Sequence, residues 1–348
     1  MADRQGAGLR TSDFDYPLPA ELIAQHPAER RGTSRLLIVR RADASLTDAE
    51  FPALLDLIPR GDVLALNTTR VRHARFLGTR PSGAPAEVLL LHPGPDDTWV
   101  AMGRPGSALK PGKRIDIGPA AWIETVAVLD DGLRQVRFGG MSAATAVERF
   151  GRLPLPPYIT RDPDAADETR YQTVYAEREA SVAAPTAGLH FTDEHLATLA
   201  GRGVTLSRLE LEVGPGTFKP VETDQPAEHP MHEERFDVPG QAAAEINAAH
   251  RGDNKVWAVG TTVVRALESA VDGQGELHAG AGATRLLITP GYHFRMVDRL
   301  LTNFHLPRST LLMLVAAFAG YELMMRAYRH AVEQRYRFYS YGDAMLIL

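Results

Sequence analysis

The sequence predicts a mixed α/β fold, a large α/β barrel-like domain interrupted by a small inserted antiparallel β-barrel domain. After residue 151, stretches typical of strands alternate with stretches typical of helices, which indicates an α/β layer or barrel. Between residues 75 and 150, short β-rich runs follow one another without helices, as in a small antiparallel barrel or sandwich. We therefore assign residues 1–74 and 151–348 to a discontinuous large catalytic domain and residues 75–150 to the inserted domain.

The inserted block is defined by short apolar runs and the turns between them. Turn signals such as Asp130-Asp131-Gly132 separate the runs, and Ser142 is expected to cap a helix that runs to Phe150. The proline-rich segment from Leu153 to Pro157 then forms a rigid connector. The predicted strands of the block are 86–92, 98–102, 113–117, 122–129 and 133–138.

The large domain is predicted from hydrophobic periodicity and from helix start and stop signals. Residues 1–12 carry no pattern and are expected to form a mobile tail. The predicted strands are 35–39, 63–66, 204–213, 255–259, 285–289 and 344–348. The predicted helices are 19–26, 51–57, 193–201, 241–250, 262–271, 309–318 and 322–336.

Composition narrows the class of protein. The chain has 348 residues, 44% of them hydrophobic and 23% charged, as in an ordinary soluble globular protein. It has no cysteine, which excludes disulfides, thiolate nucleophiles and Cys-held zinc or iron–sulfur clusters. The most apolar run, 311–319, is shorter than the ~20 residues of a membrane span, and no signal peptide is evident, so a cytoplasmic protein is expected. The net charge of −5 argues against a nonspecific polyanion binder but leaves room for a local basic patch.

Two loops follow predicted strands and have the composition of ligand-binding loops. In the first, Gly214 and Gly216 surround Pro215, and glycines there let a backbone approach a ligand closely. It is not a dinucleotide fingerprint, and a plain turn is the alternative. In the second, a glycine and two threonines open a helix whose free N–H groups suit a carboxylate or phosphate. Arg265 and Glu268 could pair on this helix, and an ordinary capped helix with a surface ion pair is the alternative.

Two histidine segments are candidates for acid–base chemistry. His190 follows Ala-Pro-Thr-Ala-Gly-Leu just before a helix, where it could act as a base or simply pack at the helix entry. His229 and His232 lie beside carboxylates, but Pro230 makes a metal-binding helix improbable, so no metal is expected.

Basic and aromatic residues form two stretches that suit RNA, since arginine holds phosphates and aromatic rings stack on splayed bases. A solvated helix face is the alternative for each stretch. The first stretch comprises Arg70, Arg72, His73 and Arg75, and the second comprises Arg326, Tyr328, Arg329, His330, Arg335, Tyr336, Arg337, Phe338, Tyr339 and Tyr341.

Taken in order, segments along nearly the whole chain resemble one enzyme family, the S-adenosylmethionine:tRNA ribosyltransferase-isomerases of queuosine biosynthesis. Many uncommon strings in one order make the resemblance specific. The segments are Asp15-Tyr16-Pro17-Leu18-Pro19, Leu66-Asn67-Thr68-Thr69-Arg70-Val71, Leu155-Pro156-Pro157-Tyr158-Ile159, Tyr171-Gln172-Thr173-Val174-Tyr175, Ala184-Pro185-Thr186-Ala187-Gly188-Leu189-His190-Phe191, the Gly214 loop, Met231-His232, Gly260-Thr261-Thr262, Thr302-Asn303-Phe304-His305-Leu306-Pro307, Ser309-Thr310-Leu311 and Tyr339-Ser340-Tyr341-Gly342-Asp343-Ala344-Met345. The chain departs at Pro215, and its 101–109 block is less basic than the family pattern, which puts in question how much the small domain helps to hold RNA.

The resemblance implies that S-adenosylmethionine is a co-substrate, with no permanent cofactor and no metal. Its ribosyl part would move to 7-aminomethyl-7-deazaguanine at the tRNA wobble position and isomerise to the epoxycyclopentane of epoxyqueuosine, with adenine and methionine released. His190 or His232 would be the catalytic base and the other would assist. The expected substrate-binding residues are Arg70, Thr186, Gly188, Phe191, Gly214, Gly216, Thr217, Thr261, Thr262, Arg265, Asn303, His305 and Asp343.

The chemistry implied by the resemblance suits these residue types. A sulfonium acidifies the neighbouring C5′ hydrogens, so that a weak base such as histidine can start the rearrangement. Two other interpretations stay open at this point: a metal-free hydrolase or lyase acting on a small nucleoside, and a non-catalytic RNA-binding module. The second would not need the glycine and histidine loops at strand ends. A thermal shift with S-adenosylmethionine against tRNA separates the interpretations, because ligand binding raises apparent stability.

Overall fold

The structure is a computed structural model that describes residues 8–130, 132–214 and 221–348, and it confirms a mixed α/β fold. No α-helix occurs before residue 143 among the described residues, and α-helices and strands are interspersed after it. The strands are β1 Arg35–Val39, β2 Leu46–Glu50, β3 Val63–Asn67, β4 Arg70–Val71, β5 Arg75–Thr79, β6 Pro85–Pro93, β7 Trp99–Arg104, β8 Arg114–Gly118, β9 Ala121–Val128, β10 Arg134–Gly139, β11 Glu179–Ser181, β12 Thr205–Leu211, β13 Glu234–Val238, β14 Val256–Val259, β15 Gly280–Thr284, β16 Arg299–Asn303 and β17 Ala344–Ile347. The α-helices are α1 Ala143–Phe150, α2 Asp167–Arg170, α3 Asp193–Gly201, α4 Gly240–Arg251, α5 Thr261–Ala270, α6 Thr310–Ala319 and α7 Tyr321–Glu333. Short 3-10 helices cover Thr11–Phe14, Ala20–Leu22, Phe51–Asp56, Gly106–Ala108, Thr186–His190 and Pro226–Glu228.

The large sheet has nine strands in the order β15-β13-β12-β3-β14-β16-β17-β1-β2. Its centre is parallel, because β12, β3, β14 and β16 run in one direction. The expected barrel-like layer needs correction, since these strands form an open sheet with β15 and β2 at its edges. The polar, largely exposed sequence of β2 suits an edge, where charged side chains discourage further pairing.

Both faces of this sheet are covered, which explains why its central strands are continuous apolar runs. Val63 and Ala65 on β3 belong to a core cluster that contains α4 to α7, and Leu64 and Leu66 belong to a second cluster with α3 and Phe51. The alternation follows from the two-residue period of a strand, which sends successive side chains to opposite faces. The sheet is therefore held rigidly, and the ends of its strands are fixed points on which a site can be built.

Six strands of the 75–150 block form a closed barrel in the order β10-β7-β6-β5-β8-β9, with antiparallel pairing throughout. Its interior is filled by apolar side chains such as Phe76, Val88 and Ile123. The predicted strands lie within a few residues of the observed ones, and Ser142 caps α1 by accepting a hydrogen bond from the Thr145 N–H. The division into two domains at residues 75 and 150 stays a prediction.

Four local predictions differ from the structure, and one of them is the helix expected at 51–57, which is a 3-10 helix over Phe51–Asp56. The strand expected at 285–289 is absent, and the strand that pairs with β13 is β15, which ends before it. Residues of β15 such as Gly282 give little apolar signal in the sequence. A glycine is needed at 282 because a side chain there would collide with the ring of Phe236 on β13. The helix expected at 19–26 is a single 3-10 turn. The start of the chain is not a free tail from residue 8 onward, since Leu9 and Thr11 are buried and the Thr11 hydroxyl donates to the Thr223 carbonyl at 2.6 Å.

Among the described residues, no single helix is long and apolar enough to cross a membrane; α6 and α7 would reach that length only together, and they are bent by 115°.

Candidate functional site

A cavity, here called the central cavity, lies where the parallel strands of the large sheet end. Residues just after β12, β14 and β16 line it, together with the Pro185–Ala187 turn and the segment near the C-terminus. In open α/β sheets, ligands bind at the carboxyl ends of the strands. The lining includes Tyr158, Pro185, Thr186, Ala187, Val213, Gly260, Thr261, Thr262, Thr302, Asn303, His305, Ser309, Tyr339 and Ser340.

The turn from β14 into α5 requires a glycine. Gly260 has a φ of 95°, a conformation that residues with a side chain rarely adopt, and its N–H extends the sheet by donating to the Leu301 carbonyl at 2.8 Å. Helix α5 starts at once, so its first N–H groups lie beside the cavity. Thr262 is 8% exposed, and its Oγ1 has no hydrogen-bond partner among the described residues. A buried hydroxyl without a partner is costly, which indicates that a ligand or solvent satisfies it.

Asn303, at the end of β16, links the cavity to His190. Its Nδ2 donates to the Tyr339 carbonyl at 2.9 Å, which fixes the orientation of the carboxamide. The opposite atom, Oδ1, is buried and serves as the acceptor in a side-chain hydrogen bond with His190. Asn303 therefore joins the His190 ring to the backbone at Tyr339.

His305 brings an imidazole into the cavity lining. Its Nε2 lies 2.8 Å from the Thr302 hydroxyl, and its backbone is held by Tyr16, which donates to its carbonyl, and by Tyr328, which accepts from its N–H at 2.9 Å. Burial lowers the pKa of His305 to about 3, so the ring is neutral near pH 7. A neutral ring can accept a proton at whichever nitrogen carries none.

His190 lies next to this cavity without lining it. Its Nδ1 is 2.7 Å from the Ser34 hydroxyl, its ring stacks on Phe51, and it borders a smaller cleft near Tyr341. Burial lowers the pKa of His190 to about 4, and a side-chain hydrogen bond with Asn303 opposes this with a smaller effect. The ring is thus a neutral group placed behind Asn303.

His232 belongs to a different place. It is exposed and lines a groove between the barrel and the large sheet, here called the barrel groove, whose lining also includes His92, Glu212, Val213, Gly214 and Arg235. The structure therefore does not bring His190 and His232 to one site. Val213 lines both the barrel groove and the central cavity, so the two openings adjoin there.

The expected pairing of Arg265 with Glu268 is wrong. Arg265 forms a buried ion pair with Glu234 on β13, and the other oxygen of Glu234 accepts from the Gly214 N–H at 3.3 Å. Glu268 instead accepts backbone N–H groups from residues 295 to 297. Spacing of three along a helix could not reveal these partners, because both come from distant segments. Arg265 therefore ties α5 to the start of the Gly214 loop.

Several other predicted substrate-binding residues have structural contacts in place of an open surface. Phe191 is completely buried in the second core cluster, and any side chain at Gly188 would collide with the Tyr175 hydroxyl. Asp343 is buried and accepts the N–H groups of Arg35 and Arg337 at 2.9 and 2.8 Å. Arg70 donates to the Ala176 carbonyl. Thr186 and Thr261 do line the central cavity, whereas Gly216 and Thr217 lie outside the described residues.

The basic and aromatic stretch near the C-terminus is not a base-stacking surface. Tyr328, Tyr336 and Phe338 are fully buried, and Tyr339 and Tyr341 are nearly so. The 3.6-residue period of α7 turns its aromatic residues toward the core and leaves arginines such as Arg326 and Arg329 outside. In the first stretch, Arg72 lies over the Trp99 ring at 5.3 Å and Arg75 pairs with Glu87.

The selection of single residues from sequence missed part of the cavity lining. Tyr158 forms a 2.6 Å hydrogen bond with Ser340, packs its ring at a tilt against Tyr339, and lines the cavity. Thr302 and Ser309 also line it. All three residues lie in segments that carried the family resemblance, so the resemblance of those segments is the sequence signal that could have identified them. Within residues 8–130, 132–214 and 221–348, no three His, Asp or Glu side chains are grouped as a metal site.

Fold and site together define an α/β enzyme with a ligand cavity at the ends of its parallel strands. The family described as queuosine biosynthesis protein matches residues 11–347. An S-adenosylmethionine:tRNA ribosyltransferase-isomerase from Symbiobacterium thermophilum is 50% identical over 98% of this chain and 100% of the relative, and one from Cupriavidus pinatubonensis is 50% identical over 97% and 99%. The crystal structure of S-adenosylmethionine tRNA ribosyltransferase from Thermotoga maritima matches with a TM-score of 0.57 and 36% identity, over 97% of this chain and all of that one. The chain belongs to the queuosine biosynthesis protein family, and the predicted enzyme class, a transferase and isomerase, is confirmed.

Proposed function

We propose that the protein transfers and isomerises the ribosyl part of S-adenosylmethionine onto 7-aminomethyl-7-deazaguanine at the wobble position of tRNA, giving epoxyqueuosine. Three bonds form: one from the aminomethyl nitrogen to a former ribosyl carbon, one between C1′ and C5′ that closes the cyclopentane, and one from the ring oxygen to C5′ that completes the epoxide. The C5′–sulfur, C1′–N9 and C4′–oxygen bonds break, and C5′ and the aminomethyl nitrogen each lose a proton, one of which goes to adenine. Methionine leaves with the electron pair of the C5′–sulfur bond, and adenine leaves with that of the C1′–N9 bond. The observation that carries the proposal is similarity over the full length to proteins named for this reaction.

The central cavity is the proposed place for S-adenosylmethionine. It lies at the strand ends, and it contains a buried hydroxyl, Thr262 Oγ1, that no described residue satisfies. Buried polar groups without partners in a protein that binds a polar ligand are natural contacts for that ligand. S-adenosylmethionine acts as a co-substrate in this proposal, and no cofactor or metal takes part.

Proton removal from C5′ is the proposed first step, because the adjacent sulfonium stabilises the resulting carbanion. We assign the base to His305, the histidine that lines the cavity and is neutral there. His190 then has a positioning role, since its ring lies behind Asn303 and is oriented by Ser34. His232, exposed in the barrel groove, has no direct access to the reacting carbon and faces the incoming RNA.

The wobble nucleotide is proposed to enter along the barrel groove. The groove joins the central cavity at Val213, and Arg235 and His92 on its walls can contact phosphate or base edges. In this arrangement the 75–150 barrel acts as an inserted domain that forms one wall of the RNA path. The nucleotide must leave its stack to reach the cavity, as in other enzymes that modify bases.

Adenine release tests the proposal. S-adenosylmethionine is incubated with the protein and either tRNA carrying 7-aminomethyl-7-deazaguanine or the same tRNA with guanine, and adenine is measured by chromatography. The proposal expects release that depends on the aminomethyl base. Equal release with both tRNAs, or with none, identifies a hydrolase or lyase acting on the nucleoside alone.

A further inference from the structure

The smaller cleft that His190 borders, here called the arginine cleft, has positive charge without matching negative charge. Its lining includes Arg30, Arg31 and Arg170, and no Asp or Glu lines it in the part of the chain that the structure describes. Arg31 and Arg170 donate to backbone carbonyls, and none of the three arginines forms an ion pair with a described carboxylate. Charges that are partly removed from water are costly unless they are paired, so the cleft favours an anion.

The two inner arginines are held in place and keep free donors. Arg31 and Arg170 are half-buried, and each donates to two backbone carbonyls. A guanidinium has five N–H donors, so two bonds leave three on each side chain. Burial and, next, the like charge of Arg170 lower the pKa of Arg31, and the smaller opposing effects include that of Asp193. An oxyanion between the two planar groups would supply the missing counter-charge, and phosphate matches their geometry.

The arginine cleft lies at the same edge of the large sheet as the central cavity. Ser34, immediately before β1, lines the cleft, and Ser340 lines both the cleft and the cavity. Because β1 is parallel to β17 and β17 is antiparallel to β16, the start of β1 and the end of β16 share an edge. The central cavity therefore adjoins the barrel groove at Val213 and the arginine cleft at Ser340.

The charges of the candidate ligands indicate which of them supplies the anion. S-adenosylmethionine has a carboxylate, but its sulfonium and its ammonium would both be repelled by the arginines. An RNA strand whose wobble nucleotide occupies the central cavity continues on both sides of it, with one phosphate per nucleotide. The barrel groove has mixed charge, since Glu212 and Glu233 line it together with Arg235. The arginine cleft is thus the better place for a backbone phosphate, a contact that positions RNA without reading its sequence.

We infer that the arginine cleft binds a backbone phosphate of the tRNA strand beside the wobble nucleotide, between Arg31 and Arg170, with the exposed Arg30 at its rim. The strand then passes from the barrel groove, across the opening of the central cavity, to the arginine cleft. The inference rests on the proposed function for the identity of the RNA. It goes further in assigning a phosphate site on the side of the cavity away from the barrel.

Binding of tRNA carrying 7-aminomethyl-7-deazaguanine, measured by fluorescence anisotropy at several salt concentrations, tests the site. Arg31→Gln and Arg170→Gln should each weaken binding by about tenfold and make the slope of log affinity against log salt shallower by about 0.7–0.9, because one phosphate contact is lost. The control is Arg251→Gln, since Arg251 is exposed, pairs with Glu276 and lies at the opposite edge of the sheet. Melting temperatures show whether each variant is folded.

A second measurement uses the parent protein alone. Anticodon stem–loop RNAs with one phosphate at a time replaced by a neutral methylphosphonate should reveal a position within two nucleotides of the wobble base that weakens binding by about tenfold. In folded Arg31→Gln, the same replacement should cost less than about twofold, because the phosphate contact is already lost.

Affinities and salt slopes of both cleft variants equal to those of Arg251→Gln would overturn the site, as would a parent that tolerates every methylphosphonate. A tenfold loss of S-adenosylmethionine affinity in these variants, with tRNA binding unchanged, would assign the cleft to the carboxylate and also overturn it. Either result combined with formation of the modified nucleoside in tRNA removes the phosphate site and leaves the proposed function intact. Absence of both tRNA binding and modification by the parent removes both.

Discussion

Replacing Arg265 by Met should destabilise the protein strongly, and removing its partner as well should restore much of the loss. Arg265 and Glu234 are 6% and 5% exposed, so Arg265→Met leaves a buried carboxylate without its cation. Breaking one side of such a pair costs about 3–5 kcal/mol. In the double variant with Glu234→Gln, no charge remains, and the Gln oxygen can still accept the Gly214 N–H. We expect the double variant to recover at least about half of that loss, because neutral replacement of a buried pair is often tolerated.

Urea unfolding of the parent, both single variants and the double variant, followed by circular dichroism, gives the coupling energy. If Arg265→Met costs less than about 1 kcal/mol, or if the double variant loses as much stability as the two single variants added together, Arg265 and Glu234 do not stabilise the fold as a coupled pair. The same proteins decide the role of Arg265. Binding of S-adenosylmethionine by the folded double variant within about threefold of the parent fits a structural arginine, whereas lost binding by a folded protein fits direct contact.

Three further predictions concern the chemistry. His305→Gln should lower the single-turnover rate about 10²–10⁴-fold while the protein stays folded. His190→Gln should lower the rate less, mainly by destabilising the fold, and His232→Ala should keep the rate within a fewfold of the parent. An unchanged rate in folded His305→Gln would show that another residue is the base. Because burial lowers the pKa of His190 to about 4, the unfolded chain binds a proton below pH ~6.5 that the native state does not, so stability should fall by about 2 kcal/mol from this residue between pH 7 and 5. The melting temperature of His190→Asn should therefore depend less on pH than that of the parent. The control is His250→Gln, which replaces an exposed histidine and should follow the parent. A pH dependence of His190→Asn equal to that of the parent would contradict the prediction. Activity should survive dialysis against a chelator, and loss restored by one added divalent ion would show a metal requirement.

The fold could be predicted where local signals agree with tertiary structure. Ser142 and Thr192 precede predicted helices and Ser309 begins one, and each accepts a backbone N–H of the first turn in the structure. Strands such as β3 and β14 were found because burial on both faces makes them continuously apolar. Strands β13 and β15 were not, since β13 alternates with charged residues and β15 is mostly glycine and alanine. Sheet closure depends on pairing between distant segments, which a single sequence does not record.

The site could be predicted by segment but not by side chain. The Gly260-Thr261-Thr262 turn and the Asn303–His305 segment both line the central cavity. Other residues predicted to bind substrate point away from the cavity, because neighbouring residues along a chain direct their side chains differently. Phe191 enters the core directly after His190, and Asp343 supports the backbone two residues beyond Tyr341. Partners such as Glu234 for Arg265 come from far along the chain, so only the folded structure shows them.

The most direct test of the proposed activity follows the ribosyl carbons. S-adenosylmethionine labelled with ¹³C in all five ribose carbons is incubated with the protein and tRNA carrying 7-aminomethyl-7-deazaguanine, and the tRNA is digested to nucleosides for mass spectrometry. We predict that the wobble nucleoside gains all five labelled carbons as an epoxycyclopentane adduct, in step with the release of one adenine and one methionine. Labelled carbon that appears in a free nucleoside or sugar, with the tRNA base unchanged, would contradict it.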